Sequence, residues 1–227
     1  MTNLYLIRHG EAVANVTHVV GGMQGDTGLT PLGVAQAERL RDRLAHTGEI
    51  VADVLVASSL PRARQTAEIL APALALAVSL DDDLQEIRPG EADGLPMGEA
   101  MVRYAVPDFE REPERPLSPG GECFQDLALR VGRALDRIAR AHAGRTIVIV
   151  THGGVIDCAF IHFFGLAPTH PPAQLSTNHT SITHWQHRPR WNDTPAWHLI
   201  AYNDSIHLRD LDRAVRIPWA ELGPRNG

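Results

Sequence analysis

An α/β fold with a mostly parallel central sheet is what this sequence predicts, and three observations carry it. Apolar runs at residues 4–7 and 146–151 read as buried strands, since parallel strands covered on both faces are almost continuously hydrophobic. Capped helical segments alternate with the strands, which is the pattern of βα units. At 227 residues the chain is long enough for one generous domain, 1–227, and short for two.

The elements follow in order. The first strand stops at Arg8-His9-Gly10, where a cation-capable pair meets a residue that lets the backbone turn sharply. Residues 13–30 form an irregular glycine-rich loop. Thr30 as N-cap and Pro31 at the first helical position open a helix with Ala35, Leu40 and Leu44 on its apolar face, and Gly48 ends it. Residues 51–57, alternating and β-branched, predict a second strand. Ser58-Ser59-Leu60-Pro61-Arg62 then leads into a helix to about residue 73, followed by a short strand at 76–80. Residues 81–122 hold twelve acidic side chains against four arginines and are rich in proline, which predicts an acidic lid inserted over the sheet, helical from about 98 to 104. A helix over 122–141 carries Phe124, Leu127, Val131, Leu135 and Ile138 at helical spacing. The strand at 146–151 ends at His152-Gly153-Gly154, an apolar helix spans 155–164, and 177–186 and 196–202 predict two more strands. No internal repeat is visible, and the last two dozen residues carry no recognisable site.

Composition removes several classes of function. A net charge of −6 argues against nucleic-acid or membrane-surface partners. No apolar run reaches the roughly 18 residues of a membrane span, and the start lacks the pattern of a secretory signal. Two cysteines, Cys123 and Cys158, give neither a disulfide framework nor metal-ligand spacing, so a cytoplasmic location is expected. All 21 basic residues are arginine, which removes Schiff-base and P-loop lysine chemistry and leaves any phosphate to guanidinium forks. His179, His184 and His187 lie close together, but a strand at 177–186 would point His179 and His184 to opposite faces, so no metal is expected.

Three strand ends carry the same kind of group: Arg8-His9-Gly10, Ser59-Leu60-Pro61-Arg62 and Thr151-His152-Gly153. Adjacent in one parallel sheet, they would converge on the crevice where such sheets bind ligands, forming a phosphate-sized cup of two arginines and two histidines. Together with the glutamate of Leu84-Gln85-Glu86-Ile87, in this order and spacing, they make the chain resemble branch 1 of the histidine phosphatase superfamily, the phosphoglycerate-mutase-like group, over about residues 1–205. The resemblance implies a three-layer α/β/α sandwich with a mostly parallel central sheet, and a phosphohistidine mechanism without metal or other cofactor. It makes His9 the nucleophile, gives Arg8, Arg62 and His152 the equatorial phosphoryl oxygens, and makes Glu86 the acid that protonates the leaving alcohol and then takes a proton from water. Asn15, seven residues after Arg8, becomes a further phosphate ligand, with Gln24 and Gly153 as weaker substrate-binding positions. From the residues alone, Asn15 also suits a turn cap, His152 a satisfied buried histidine, and Asp81, Asp82, Asp83 and Glu91 rival Glu86. Glu11 and Glu122 are expected to be structural, and Arg64 to face solvent or pair with an acid. Ala12 and Cys123 stand where relatives often have hydroxyl residues, which touches fine positioning more than reaction class.

The expected activity is hydrolysis of a small phosphomonoester. Family mutases carry Arg-His-Tyr-Gly after the catalytic glutamate and a basic insertion, whereas this chain has Ile87-Arg88-Pro89-Gly90 and an acidic one. A cofactor-dependent phosphoglycerate mutase is therefore the alternative, with Arg88 its remaining support, and a catalytically silent phospho-ligand binding protein is a second. The expected partner is a small phosphorylated molecule. Oligomeric state is open, a homodimer among the options. His162, Phe163, Phe164, His170 and His179 are the expected specificity side.

Overall fold

In the computed structural model, which describes residues 1–105, 107–169, 175–209 and 211, six strands build one sheet. These are β1 (Thr2–Arg8), β2 (Val54–Ser58), β3 (Val78–Asp81), β4 (Thr146–Thr151), β5 (Ile182–Pro189) and β6 (Pro195–Asp204), in the order β3-β2-β4-β1-β5-β6. The four strands from β3 to β1 are parallel, and β5 and β6 run antiparallel to their neighbours. The helices are α1 (Val13–Thr17), α2 (Pro31–Thr47), α3 (Pro61–Leu74), α4 (Met97–Tyr104), α5 (Phe124–Ala141) and α6 (Gly153–Phe164).

Alternation along the strands makes the three layers. Ile147 and Ile149 of β4 pack with Leu4, Leu6 and the apolar faces of α5 and α6. Val148 and Val150 point the other way, into a cluster with Ile7, Leu55 and residues of α2 and α3. Each fully buried Leu or Ile contributes about 1.5–3 kcal/mol, so the central strands anchor both faces. Register then decides where the chemistry lies: Arg8 aligns with Thr151, and Ala57 with Val150, so β1, β2 and β4 end at one edge. Because β5 is antiparallel and pairs Ile182 with Ile7, it begins at that same edge.

The structure shifts several predicted boundaries. The predicted loop 13–30 contains the single-turn helix α1, which Asn15 stabilises by accepting the Ala12 N–H at 2.9 Å. The buried face of α2 is Gly33, Gln36, Ala37, Leu40 and Leu44, and Ala35 lies beside it. Strand β2 starts at Val54, and Val51 is largely exposed. Helix α5 starts one residue past Cys123, whose thiol accepts the Asp126 N–H as an N-cap hydroxyl would. Residues 177–181 form a loop, and β5 begins only at Ile182.

The insertion is anchored, with a small core of its own: Val20, Ala92, Ala100 and Leu117. Asp93 accepts three backbone N–H groups, from Gly22, Gln24 and Gly25, each at 2.9 Å, which clasps the insertion to the glycine-rich loop. Many of the twelve acids are likewise engaged: Asp108 and Glu112 pair with arginines inside the segment, Asp81 and Asp83 with Arg137, and Glu122 with Arg130. The acidic count overstates the free negative charge at the entrance.

Candidate active site

His9 is 3% exposed and both its nitrogens are assigned by their partners. A carbonyl can only accept, so Nδ1, 2.6 Å from Gly10 O, carries the proton. The Arg62 Nε–H can only donate, and it points at Nε2 from 3.1 Å, so Nε2 holds the lone pair. Burial, then the charge of Arg62, holds the imidazole well below its ordinary pKa, so it is neutral near pH 7. Gly10 is required by space. A Cβ there would lie 2.4 Å from Gly33 O, and one on Gly33 would lie 2.0 Å from Glu11 O, so this loop and the first turn of α2 touch backbone to backbone.

Arg62, at the start of α3, is aimed by Asp26. The carboxylate, with no exposed side-chain surface, accepts from the Arg62 guanidinium at 2.9 Å and from its backbone N–H at 3.1 Å, while Gly21 O takes a further bond at 2.8 Å. His152 is the N-cap of α6; its ring lies 5.1 Å from that of His9 and its Nε2 is 2.8 Å from Ser58 Oγ. Burial, then the charges of Arg62, Arg8 and Arg130, keep it neutral too. Arg8 donates to Thr177 O, and its Nε is buried without a partner among the described residues.

Glu86 approaches from the insertion side. Its carboxylate accepts the Gly154 N–H in the first turn of α6 at 3.0 Å and the Ile87 N–H at 3.0 Å, so a negative group sits at a helix N-terminus. A Cβ on Gly154 would lie 2.3 Å from Glu86 Oε1, which makes that glycine part of the seat. Arg130 holds the segment from behind. It pairs with Glu122 at 2.6 Å and donates to the carbonyls of Asp83, Gln85 and Glu86, while Thr151 Oγ1 donates to Leu84 O. Asp157, one turn along α6 from Gly153, has a buried Oδ1 without a partner among the described residues. Burial, and after it the charge of Glu86, pushes its carboxyl up to about 7, with Arg8 opposing.

The chain matches the profile of the histidine phosphatase superfamily (branch 1) over residues 4–199. It belongs to that family. The probable phosphoglycerate mutase GpmB of Yersinia pestis is 28% identical over 219 residues, covering 92% of this chain and 95% of that protein. Among solved structures, Bacillus stearothermophilus YhfR superposes with a TM-score of 0.77 at 30% identity, covering 92% of this chain and all of that one. The mycobacterial glucosyl-3-phosphoglycerate phosphatase solved with inorganic phosphate gives 0.72 at 27% identity, over 90% and 98%.

Of the residues that the family resemblance singled out, Arg8, His9, Arg62 and His152 meet at the carboxyl edge, with Glu86 against α6. Gly153 lies beside Arg8, a Cβ there being 3.8 Å from Arg8 Nε. Asn15 Oδ1 is taken by the turn it caps, and Gln24 is exposed on the loop that Asp93 clasps. Arg88 serves the insertion, bonding Gln85 and the Asp82 carbonyl. Glu11 binds Thr30, and Arg64 pairs with Glu68 at 2.7 Å. Of the expected specificity side, His179 lies beside His9. His162 pairs with Asp136, Phe163 packs on Trp185 and Trp197, Phe164 is exposed, and His170 lies outside the described residues. The reason given above against a metal also changes, because His179 precedes β5. The three histidines are nevertheless apart: His184 stacks on Tyr5, His187 packs tilted against Trp197, and His179 lies by His9. Sequence reasoning missed Asp26, Arg130 and Asp157. A hint existed only for Asp26, an acid among the glycines of residues 25–28.

Proposed function

We propose that this protein is a metal-independent phosphatase that hydrolyses small phosphomonoesters through a phosphohistidine on His9. One observation carries the reading: a neutral His9 whose Nδ1–H is fixed on Gly10 O and whose Nε2 lone pair faces a guanidinium. Nε2 attacks phosphorus as the ester P–O bond breaks, and Glu86, which takes up a proton together with the substrate, passes it to the leaving oxygen. Water then attacks the phosphohistidine, Glu86 takes the proton back, and the P–N bond breaks to release phosphate. Arg8, Arg62 and His152 stabilise the spreading equatorial charge throughout, the largest demand of this chemistry. The engagement of Arg88 within the insertion supports hydrolysis over mutase action, which needs extra basic groups to retain a bisphosphorylated intermediate. The name of the Yersinia relative supports the mutase alternative. The insertion keeps an excess of acids over arginines after its ion pairs are formed, which favours substrates with a single phosphate and little other negative charge. A cytoplasmic site of action fits the absence of any membrane-crossing helix among the described residues.

Steady-state hydrolysis of a phosphomonoester panel in EDTA, beside a 3-phosphoglycerate mutase assay, tests the reading. Metal-independent phosphate release that falls at least about 10³-fold in His9→Ala is the expected result. Mutase turnover with negligible hydrolysis overturns it.

A further inference from the structure

His9 is flanked on both sides. On one side β4 delivers His152; on the other the loop before β5 delivers His179, 4% exposed, its ring 5.7 Å from that of His9 and tilted by 44°. The sheet order explains the symmetry, since β1 lies between β4 and β5 and the antiparallel β5 starts where β1 and β4 stop.

The segment that carries His179 is laced to the backbone of the nucleophile. Thr180 N–H donates to Arg8 O at 2.9 Å and to His9 O at 3.4 Å, Arg8 donates to Thr177 O, and Thr180 Oγ1 donates to His179 O at 2.8 Å. Thr180 does this at φ 54°, a left-handed conformation that a β-branched residue adopts only when its surroundings impose it. Strain of this kind is concentrated at functional sites, and its effect here is to fix the His179 ring beside His9. Nε2 of His179 is buried without a hydrogen-bond partner among the described residues, a condition shared by Arg8 Nε and His152 Nδ1 on the same cup. A buried polar nitrogen is costly unless something pairs with it, and three of them around one nucleophile mark a place for oxygen ligands. Burial, then Arg8 and Arg62, hold the His179 imidazole well below its ordinary pKa, so it is neutral and, in the tautomer protonated at Nε2, can donate there without adding charge to the cup.

We propose that His179 is a third imidazole of the phosphoryl site, donating from Nε2 to an oxygen of the transferring phosphoryl group on the side of His9 opposite His152. The proposal rests on the phosphoryl-transfer reading above, and it adds a hydrogen bond that helps to position the phosphorus before His9 Nε2.

Two amides test it, because glutamine places its nitrogen near the position of Nε2 and asparagine near that of Nδ1. Inorganic phosphate is the probe of binding, its dissociation constant read by titration calorimetry, and p-nitrophenyl phosphate is the phosphoryl donor for the rate of phosphohistidine formation read by rapid quench. His179→Gln is expected to stay within about threefold of the unmodified protein, and His179→Asn to bind phosphate about tenfold more weakly and phosphorylate more slowly. Equal behaviour of the two variants, or a larger loss in His179→Gln, overturns the proposal. In the unmodified protein, labelled on histidine nitrogen, phosphate is expected to shift the His179 Nε2 resonance, and an unmoved resonance overturns the proposal even where the variants fold poorly. If the unmodified protein phosphorylates His9 while His179 is indifferent, only this proposal falls. If it binds no phosphate at all, the phosphatase reading falls with it.

Discussion

The cup at the carboxyl edge and the acidic insertion both hold many charges, yet they use them in opposite ways. In the cup the groups are few and dry: Arg62 and Asp26 are nearly or fully buried, and His9 and His152 are held neutral. In the insertion the charges are many and wet, with the Arg111 side chain 85% exposed in its pair with Asp108. Burial therefore separates charges that fix geometry from charges that mainly tune solubility and approach.

Deleting one partner in each region draws the contrast most sharply. Asp26→Ala leaves Arg62 buried without its counter-charge, and a loss of about 3–5 kcal/mol in urea unfolding is expected. A loss near zero would make the cup energetically like the surface. Next in size is Gly154→Ala, whose methyl group collides with the Glu86 carboxylate; kcat is expected to fall about 10²-fold with little change in phosphate binding. A parallel loss of binding would place Glu86 inside the anion cup instead of beside it.

The third contrast is in pH. Asp157 keeps its proton up to about 7 in the folded chain and to about 4 when unfolded, so the folded state binds more protons between these values. Stability from this group therefore falls as pH rises through that window. His9, His152 and His179 work in the other direction: depressed in the folded state, they withdraw stability as pH drops below about 6.5. Asp157→Asn is expected to raise stability by about 4 kcal/mol at pH 8, with no gain at pH 4. Thermal melts at the two pH values read this directly, and a gain at both would trace it to packing. Smallest is Arg111→Ala, for which a change under about 0.5 kcal/mol is expected at physiological salt. A larger value would mean that the insertion depends on its ion pairs and not on the cluster around Ala92 and Leu117.

The layers of the fold were legible because periodicity is local. Residues 146–151 and the spacing from Phe124 to Ile138 each announce their element within one window of sequence. The residues at the parallel strand ends could be found by the same logic, since a parallel strand delivers its last residues to the ligand edge. Asp26 and Arg130 were not legible, because pairing across 36 residues to Arg62, or across 44 to Glu86, leaves no periodic trace. His179 was misplaced for a topological reason. An antiparallel strand reaches the ligand edge with the residues before it, and the sequence pattern did not distinguish a strand beginning at 177 from one beginning at Ile182.

The contact between Gly10 and Gly33 has a mechanical consequence. Where two elements meet through side chains, rotamer changes absorb small displacements. Here peptide meets peptide, with no side chain in between to act as a cushion. Any shift in the first turn of α2 must be transmitted undamped to the residue after His9, so the aim of the His9 imidazole is only as steady as a helix that contributes no side chain to the cup.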